Sequence, residues 1–271
     1  MADDVTLEMG AVTLSVSDLD RSCEYYGGAV GLHLIDRSGD TATFGAGERV
    51  LLELIEKRGA ALDSRAPGLF HFALLVPTRR DLGNALKHLI ETRAPLQGVA
   101  DHIVSEAIYL VDPDGHGIEI YRDRARSQWK YDEGGRLEMA TLPLDAEGIL
   151  EESDPDACPA LPDGTRMGHV HLQVGDLEEA QPFFTETLGL DVTATMPHAL
   201  FFGVDGYHHH LGANTWRSRG RAPRDEGLLG LEQFDVHGTR FDEPGVRSGP
   251  DGIRTRLVPL ESPTTRALTP P

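Results

Sequence analysis

The chain repeats itself, and that repetition limits its possible folds more than any other feature. Gly10–Leu19 reads GAVTLSVSDL and Gly168–Leu177 reads GHVHLQVGDL: the same glycine start, the same apolar–polar alternation and the same Asp-Leu ending. Such alternation marks a half-buried strand. Asp18 and Asp176 each stand where a helix N-cap belongs, ahead of the amphipathic stretches DRSCEYYGGAVGL and EEAQPFFTETLGL. A third copy starts at Gly68, GLFHFALLVPTRRDLGNALKHLIETR. Strand-like runs follow each helix, namely TATFGAGERVLLELIE, SEAIYLVDPDGHGIEIYRD and HALFFGVDGYHHHLGANTW, the second turning at Asp112-Pro113-Asp114-Gly115.

Repeated self-similarity makes each copy one supersecondary unit. Here the unit is a strand, a helix and about three strands, at 9–57, 68–123 and 166–217. A fourth, from Gly227 to Pro259, has an opening strand (GLLGLEQFDV) and a closing one (GPDGIRTRLV). Only about a dozen residues, His237 to Ser248, lie between them, with Pro and Gly among them, so no helix of normal length fits. The predicted fold class is α+β: repeated βαβββ modules, three full and one truncated, forming two barrel-like mixed sheets. The expected organisation is a first domain over 9–123, a linker over 124–165 with a short helix near Asp145–Glu152, a second domain over 166–259 and a flexible tail over 260–271.

Histidine placement follows the repeat. When the opening strands are aligned on their Leu-x-Val core, His71 stands three residues before Leu74 and His169 three before Leu172. Unit one has Ala11 there, and unit four Gly230 or Leu231. In the closing strand of unit two, Glu119 lies between Ile118 and Ile120, which turns it to the opposite face. A lone strand histidine is usually a packing or surface residue; recurrence at one unit position is what singles these out. Two His and one carboxylate from three strands suit a facial triad that leaves metal positions open. A divalent cation there offsets the cost of a buried carboxylate. Spacing alone leaves zinc, manganese and iron open. Unit three also closes with Tyr207-His208-His209-His210; on a strand, His208 and His210 share one face and His209 takes the other. His102 and Tyr109 are a candidate proton-transfer pair.

Charge removes other classes. There are 44 Asp and Glu against 25 Lys and Arg, for a formal net charge of -19. A nucleic-acid footprint is missing, and an anionic membrane is no partner. Lysine is scarce (Lys57, Lys87 and Lys130) while arginine is not, so a salt-adapted surface is expected. No run of 18 apolar residues occurs, MADDVTLEMG has no signal-peptide pattern, and Cys23 and Cys158 form no CxxC pair; a cytoplasmic location is expected.

In GHVHLQVGDL, GYHHHLGANTW, GLFHFALLVPTRRDL and DHIVSEAIYLVDPDGHGIEIYRDR the chain resembles the vicinal oxygen chelate superfamily of glyoxalases, bleomycin-resistance proteins and extradiol dioxygenases. Within it, the likeness is to two-domain dioxygenases of the catechol 2,3-dioxygenase type, well over 9–217 and weakly over 226–259. The resemblance implies Fe(II), with Mn(II) accepting the same donors, held by His71, Glu119 and His169. It implies a catechol or substituted catechol and O2 as substrates, and a semialdehyde product. The family's acid/base histidine falls in the triplet. The residues that follow it favour His209, whereas alternation and the offset from the Asp-Gly turn favour His210; His209 is carried forward. His102 and Tyr109 match residues that orient the substrate hydroxyl and oxygen. Units two and three are expected to build the one active site. Units one and four, with Ala11, Val50 or Leu51, Leu231 and Arg256 at the corresponding positions, are expected to be metal-free. The truncated fourth unit leaves its half open or completed by a partner subunit, as in a homo-oligomer. Alternatives are a glyoxalase-like isomerase or thiol transferase, and a non-enzymatic small-molecule-binding protein.

Overall fold

The structure is a computed structural model that describes residues 5–133, 137–249 and 251–260. The tail expected beyond residue 260 lies outside the described residues. Unit one comprises β1 (Leu7–Val16), α1 (Leu19–Glu24), β2 (His33–Ser38), β3 (Thr41–Ala46) and β4 (Arg49–Glu56). Unit two comprises β5 (Gly68–Leu75), α2 (Arg79–Glu91), β6 (Leu96–Asp101), β7 (Ser105–Val111) and β8 (Gly117–Asp123). The connecting segment carries α3 (Ala146–Glu151). Unit three has β9 (Arg166–Gln173), α4 (Leu177–Pro182), β10 (Asp191–Met196), β11 (Ala199–Gly203) and β12 (Leu211–Asn214). Unit four has strands only: β13 (Gly230–Gly238), β14 (Gly245–Ser248) and β15 (Arg254–Pro259).

The helix starts are set by side chains. Asp18 accepts from Arg21 N and Asp176 from Glu178 N and Glu179 N, while Thr78 and Asp81 form a reciprocal capping box on α2. Units one and three also share an irregularity, since α1 and α4 each pass into a π-helical turn, over Tyr25–Ala29 and Phe183–Thr187. No helix among the described residues is long and apolar enough to cross a membrane.

The strands form two mixed sheets, ordered β14-β15-β13-β1-β4-β3-β2 and β10-β11-β12-β9-β5-β8-β7-β6. Units one and four therefore share the first sheet, and units two and three share the second, the pairing expected from the ligand placement. In the second sheet the two opening strands meet antiparallel at the centre (β5·β9), and each runs parallel to its own closing strand (β5·β8, β9·β12).

Alternation assigns the two faces. Phe72, Leu74, Ile118 and Ile120 are fully buried in the main core with Leu82, Leu86 and Leu89 of α2. His71, Ala73 and Glu119 consequently point the other way.

Candidate metal centre

Register carries the donors together. Ala73 on β5 is paired with Glu119 on β8 and with His169 on β9, and Glu119 is paired in turn with Tyr109 on β7. His169, Ala73, Glu119 and Tyr109 thus form one row across four strands. His71 lies two residues along β5 on the same face. The small Ala73 leaves the space above it to its longer neighbours.

In that space Glu119 Oε2 is 3.0 Å from His71 Nε2 and 3.1 Å from His169 Nε2, and the two nitrogens are 3.2 Å apart. All three residues are buried. The donor set has no satisfactory arrangement by itself: two imidazole nitrogens converge on one carboxylate oxygen and on each other. A cation fits this triangle. Donors about 2.1 Å from a metal at right angles are about 3.0 Å apart, the edge of an octahedral face. Two His and one carboxylate on one face suit a divalent first-row metal. Burial opposes the Glu119 charge, but the adjoining His169 and His71 nitrogens outweigh it and hold the carboxyl well below its usual range. Burial pushes the His169 imidazole down, toward its neutral, ligating form. His169 Nδ1 is buried without a hydrogen-bond partner, so the ring is held by Tyr121 (4.9 Å) and His209 (4.2 Å) on its flanks.

A cavity of about 220 Å3 adjoins the triad and is also lined by His102, Tyr109, His209, Phe70, Phe201 and Trp216. A space of about 150 Å3 holds benzene, so this one takes a single substituted ring. A second cavity, of about 360 Å3, shares Phe70, His71, Tyr109 and Thr141 with it.

His102 and Tyr109 meet as expected. His102 Nδ1 donates to Ala140 O (2.8 Å), which leaves Nε2 to accept from the Tyr109 hydroxyl at 2.7 Å. Burial, and then Glu119, push the Tyr109 hydroxyl well above its ordinary value, so it remains protonated.

The triplet is divided by its surroundings. His209 lines the triad cavity, His208 is bonded to Asp123 at 2.8 Å, and His210 faces a separate pocket with Arg166 and Tyr207. Burial, then the surrounding imidazoles, push His209 well below its ordinary value and keep it neutral. One expectation is corrected: Tyr207–His210 precedes the closing strand instead of lying in it, because β12 begins at Leu211. The ladder still reaches His210, whose N–H donates to Phe202 O and whose carbonyl accepts from Val170 N, but strict alternation fails before it: His208 Nδ1 and His209 Nδ1 are 2.8 Å apart and do not lie on opposite faces.

Sequence reasoning missed His171. It is buried 5.0 Å from the His71 ring, accepts from Asn214 Nδ2 at 3.0 Å, and is pushed well below its ordinary value by burial and its histidine neighbours. The i, i+2 spacing from His169 was the available signal. Met139 and Thr141 of the connecting segment also wall the cavity, with no pattern to announce them.

The other sheet corrects a second expectation. Its equivalent row is Gln233–Thr13–Glu53, not Leu231, Val50 or Leu51, and Arg256. The skip at Ala73/Leu74 on β5·β9 has its counterpart at Thr13/Leu14 on β1·β13, so Gln233 is opposite Thr13 as His169 is opposite Ala73. A carboxylate is kept there, but Thr13 Oγ1 donates to Glu53 Oε2 at 3.0 Å, and Ala11 and Gln233 stand where the histidines would. Among the described residues, the one converging group of three or more possible His, Cys, Asp or Glu ligands is His71, Glu119 and His169.

The chain belongs to the Glyoxalase/Bleomycin resistance protein/Dioxygenase superfamily, whose model matches residues 8–120 and 166–244. A Bacillus subtilis (strain 168) relative named catechol-2,3-dioxygenase is 42% identical over 233 residues, 84% of this chain and 81% of its own. The fold is shared with maize glyoxalase I (TM-score 0.55, 18% identity, 94% of this chain and 92% of that one) and with the cppA protein of Streptococcus pneumoniae TIGR4 (0.60, 10%, 96% and 99%).

Proposed function

We propose that the protein is an extradiol dioxygenase that opens a catechol ring beside its diol with both atoms of O2, at a ferrous centre held by His71, Glu119 and His169. The observation that carries this reading is the 3.0–3.2 Å triangle of Nε2, Nε2 and Oε2 atoms beside a ring-sized, aromatic-walled cavity. The Bacillus subtilis relative supports it. Iron bound there would supply the redox link between diol and dioxygen; manganese suits the same donors.

The chain's own residues supply the remainder. Phe70, Phe201 and Trp216 pack around the ring and exclude water. The Tyr109 hydroxyl gives its hydrogen to His102, so its oxygen stays free to accept from a diol hydroxyl and orient it. Neutral His209 takes up the diol proton and later returns it, as a general base and then acid.

The test is anaerobic reconstitution with ferrous iron, then catechol and oxygen. One O2 consumed per yellow semialdehyde formed is expected. Iron bound at one per chain with no ring opening of any catechol refutes the reading. A parallel Mn(II) preparation assigns the metal.

A further inference from the structure

His209 is backed by a chain of hydrogen bonds that leads away from the cavity. Its Nδ1 is 2.8 Å from His208 Nδ1, and His208 Nε2 is 2.8 Å from Asp123 Oδ1. Asp123 Oδ2 accepts from the Tyr207 hydroxyl at 2.8 Å, and that oxygen is 2.8 Å from the Tyr121 hydroxyl. Of these five residues only His209 lines the triad cavity. The chain is built into the sheet: Glu119, Tyr121 and Asp123 alternate along one face of β8. Gly168 makes room for Tyr121, since a Cβ at that position would lie 1.9 Å from the hydroxyl oxygen. Trp129 covers His208 at 5.5 Å between ring centres.

Donor and acceptor roles converge on Asp123, and from His209 to that carboxylate they run in one direction. A carboxylate only accepts, so His208 has its hydrogen on Nε2, and with one ring hydrogen its Nδ1 is an acceptor. The short Nδ1···Nδ1 contact then requires the hydrogen of His209 to be on its own Nδ1. His209 Nε2 is left with the lone pair. A base that must accept a diol proton needs that tautomer; the other offers the cavity an N–H instead.

We infer that Asp123 and His208 are positioning residues that place the His209 proton on Nδ1 and leave Nε2 as the base for the substrate hydroxyl. The inference rests on the extradiol reading for its chemistry, but the placement of the proton is a property of the chain itself.

The experiment reads both. In protein labelled with 15N-histidine and loaded with diamagnetic Zn(II), long-range 1H–15N correlations report which ring nitrogen carries hydrogen. His209 is expected as the Nδ1–H tautomer and His208 as Nε2–H. His208→Leu is expected to keep bound iron and the catechol KM while lowering kcat about tenfold to hundredfold. His208→Gln, whose amide can accept from His209 and donate to Asp123, is expected to recover most of that loss. A purely structural role predicts no such rescue and no tautomer change. Asp123→Val provides a second disruption, read by the same spectra, should His208→Leu fail to fold. Wild-type His209 protonated on Nε2, or undiminished kcat in folded His208→Leu or Asp123→Val, overturns the inference. Failure of the extradiol reading appears differently: the iron-loaded wild type takes up no oxygen with catechol, and the spectra still decide the proton placement.

Discussion

Glu119 Oε2 lies 3.1 Å from His169 Nε2 although their strands are not neighbours; β5 runs between them and Ala73 is in register with both. The two side chains meet because the residue beneath them is a methyl group. Ala73→Leu pushes three more carbons into that space, and overpacking a tight site costs about 1–3 kcal/mol. Affinity for Mn(II), titrated calorimetrically into the metal-free protein, is expected to fall at least about tenfold while a cooperative melt persists. Unchanged affinity would mean that the donors do not meet over Ala73.

Metal removal is expected to be a stability event. Glu119 is 2% exposed and is faced by imidazoles, with no Arg or Lys bridge to it among the described residues. A metal at about a hundred times its Kd contributes about 2.7 kcal/mol, or roughly 5–10 °C in Tm for a chain of this size. Glu119→Gln is expected to abolish that increment and to melt below the metal-free wild type, because the His169 and His71 nitrogens favour the buried carboxylate by more than burial costs it. Melting curves with and without Mn(II) check both. A metal-dependent rise that survives in Glu119→Gln would remove this residue from the ligand set.

Tyr109→Phe separates binding from turnover. The ring fills the same volume, and His71, Glu119 and His169 are left in place, so iron content is expected to be unchanged. The lost hydroxyl leaves His102 Nε2 without its donor and the diol without its acceptor. A fall in kcat of about a hundredfold is expected, within the range for a positioned proton-transfer group. Wild-type turnover would leave the pair with a packing role alone.

Local chemistry made much of this site legible. Ile118 and Ile120 told which way Glu119 faces, and recurrence at one unit position told that His71 and His169 belong together. Residue spacing does not encode register shifts, and these set which residues are opposite. Gln233 escaped notice for that reason: the skips at Thr13/Leu14 and Ala73/Leu74 move the partner strand by one residue. Glu53 faces Thr13 on a ladder without skips, and only the parallel pairing of β1 with β4 puts it there. Backbone beyond the repeats was equally silent. Ala140 orients His102 from the connecting segment, where no periodicity marks a partner. The choice within the His triplet depended on what Asp123 binds, a contact between positions 85 residues apart in sequence.

The acidic surface carries a prediction of its own. With a net charge of -19 the native chain repels itself, and that repulsion is screened over about 10 Å at 0.1 M salt but about 3 Å at 1 M. The melting temperature is expected to rise steadily as NaCl is increased across that range. A salt-independent melt would refute adaptation of this surface to high ionic strength.

His210 gives a pH dependence with a definite sign. It is buried, and burial with neighbouring His208 lowers its pKa from 6.5 to about 3. Its Nδ1 accepts from Val204 N at 3.4 Å, a role lost on protonation. As pH falls, the unfolded chain takes up this proton near 6.5 and the folded chain only near 3. The contribution of His210 is therefore complete above about pH 6.5 and is lost progressively toward pH 3, with a slope of up to about 1.4 kcal/mol per pH unit. His210→Gln cannot titrate. Urea unfolding between pH 7 and pH 4 is expected to show a shallower loss of stability in the variant, by up to one proton's worth. Parallel slopes for the two proteins would show that His210 is already charged in the native state, or that it stays neutral in the unfolded one.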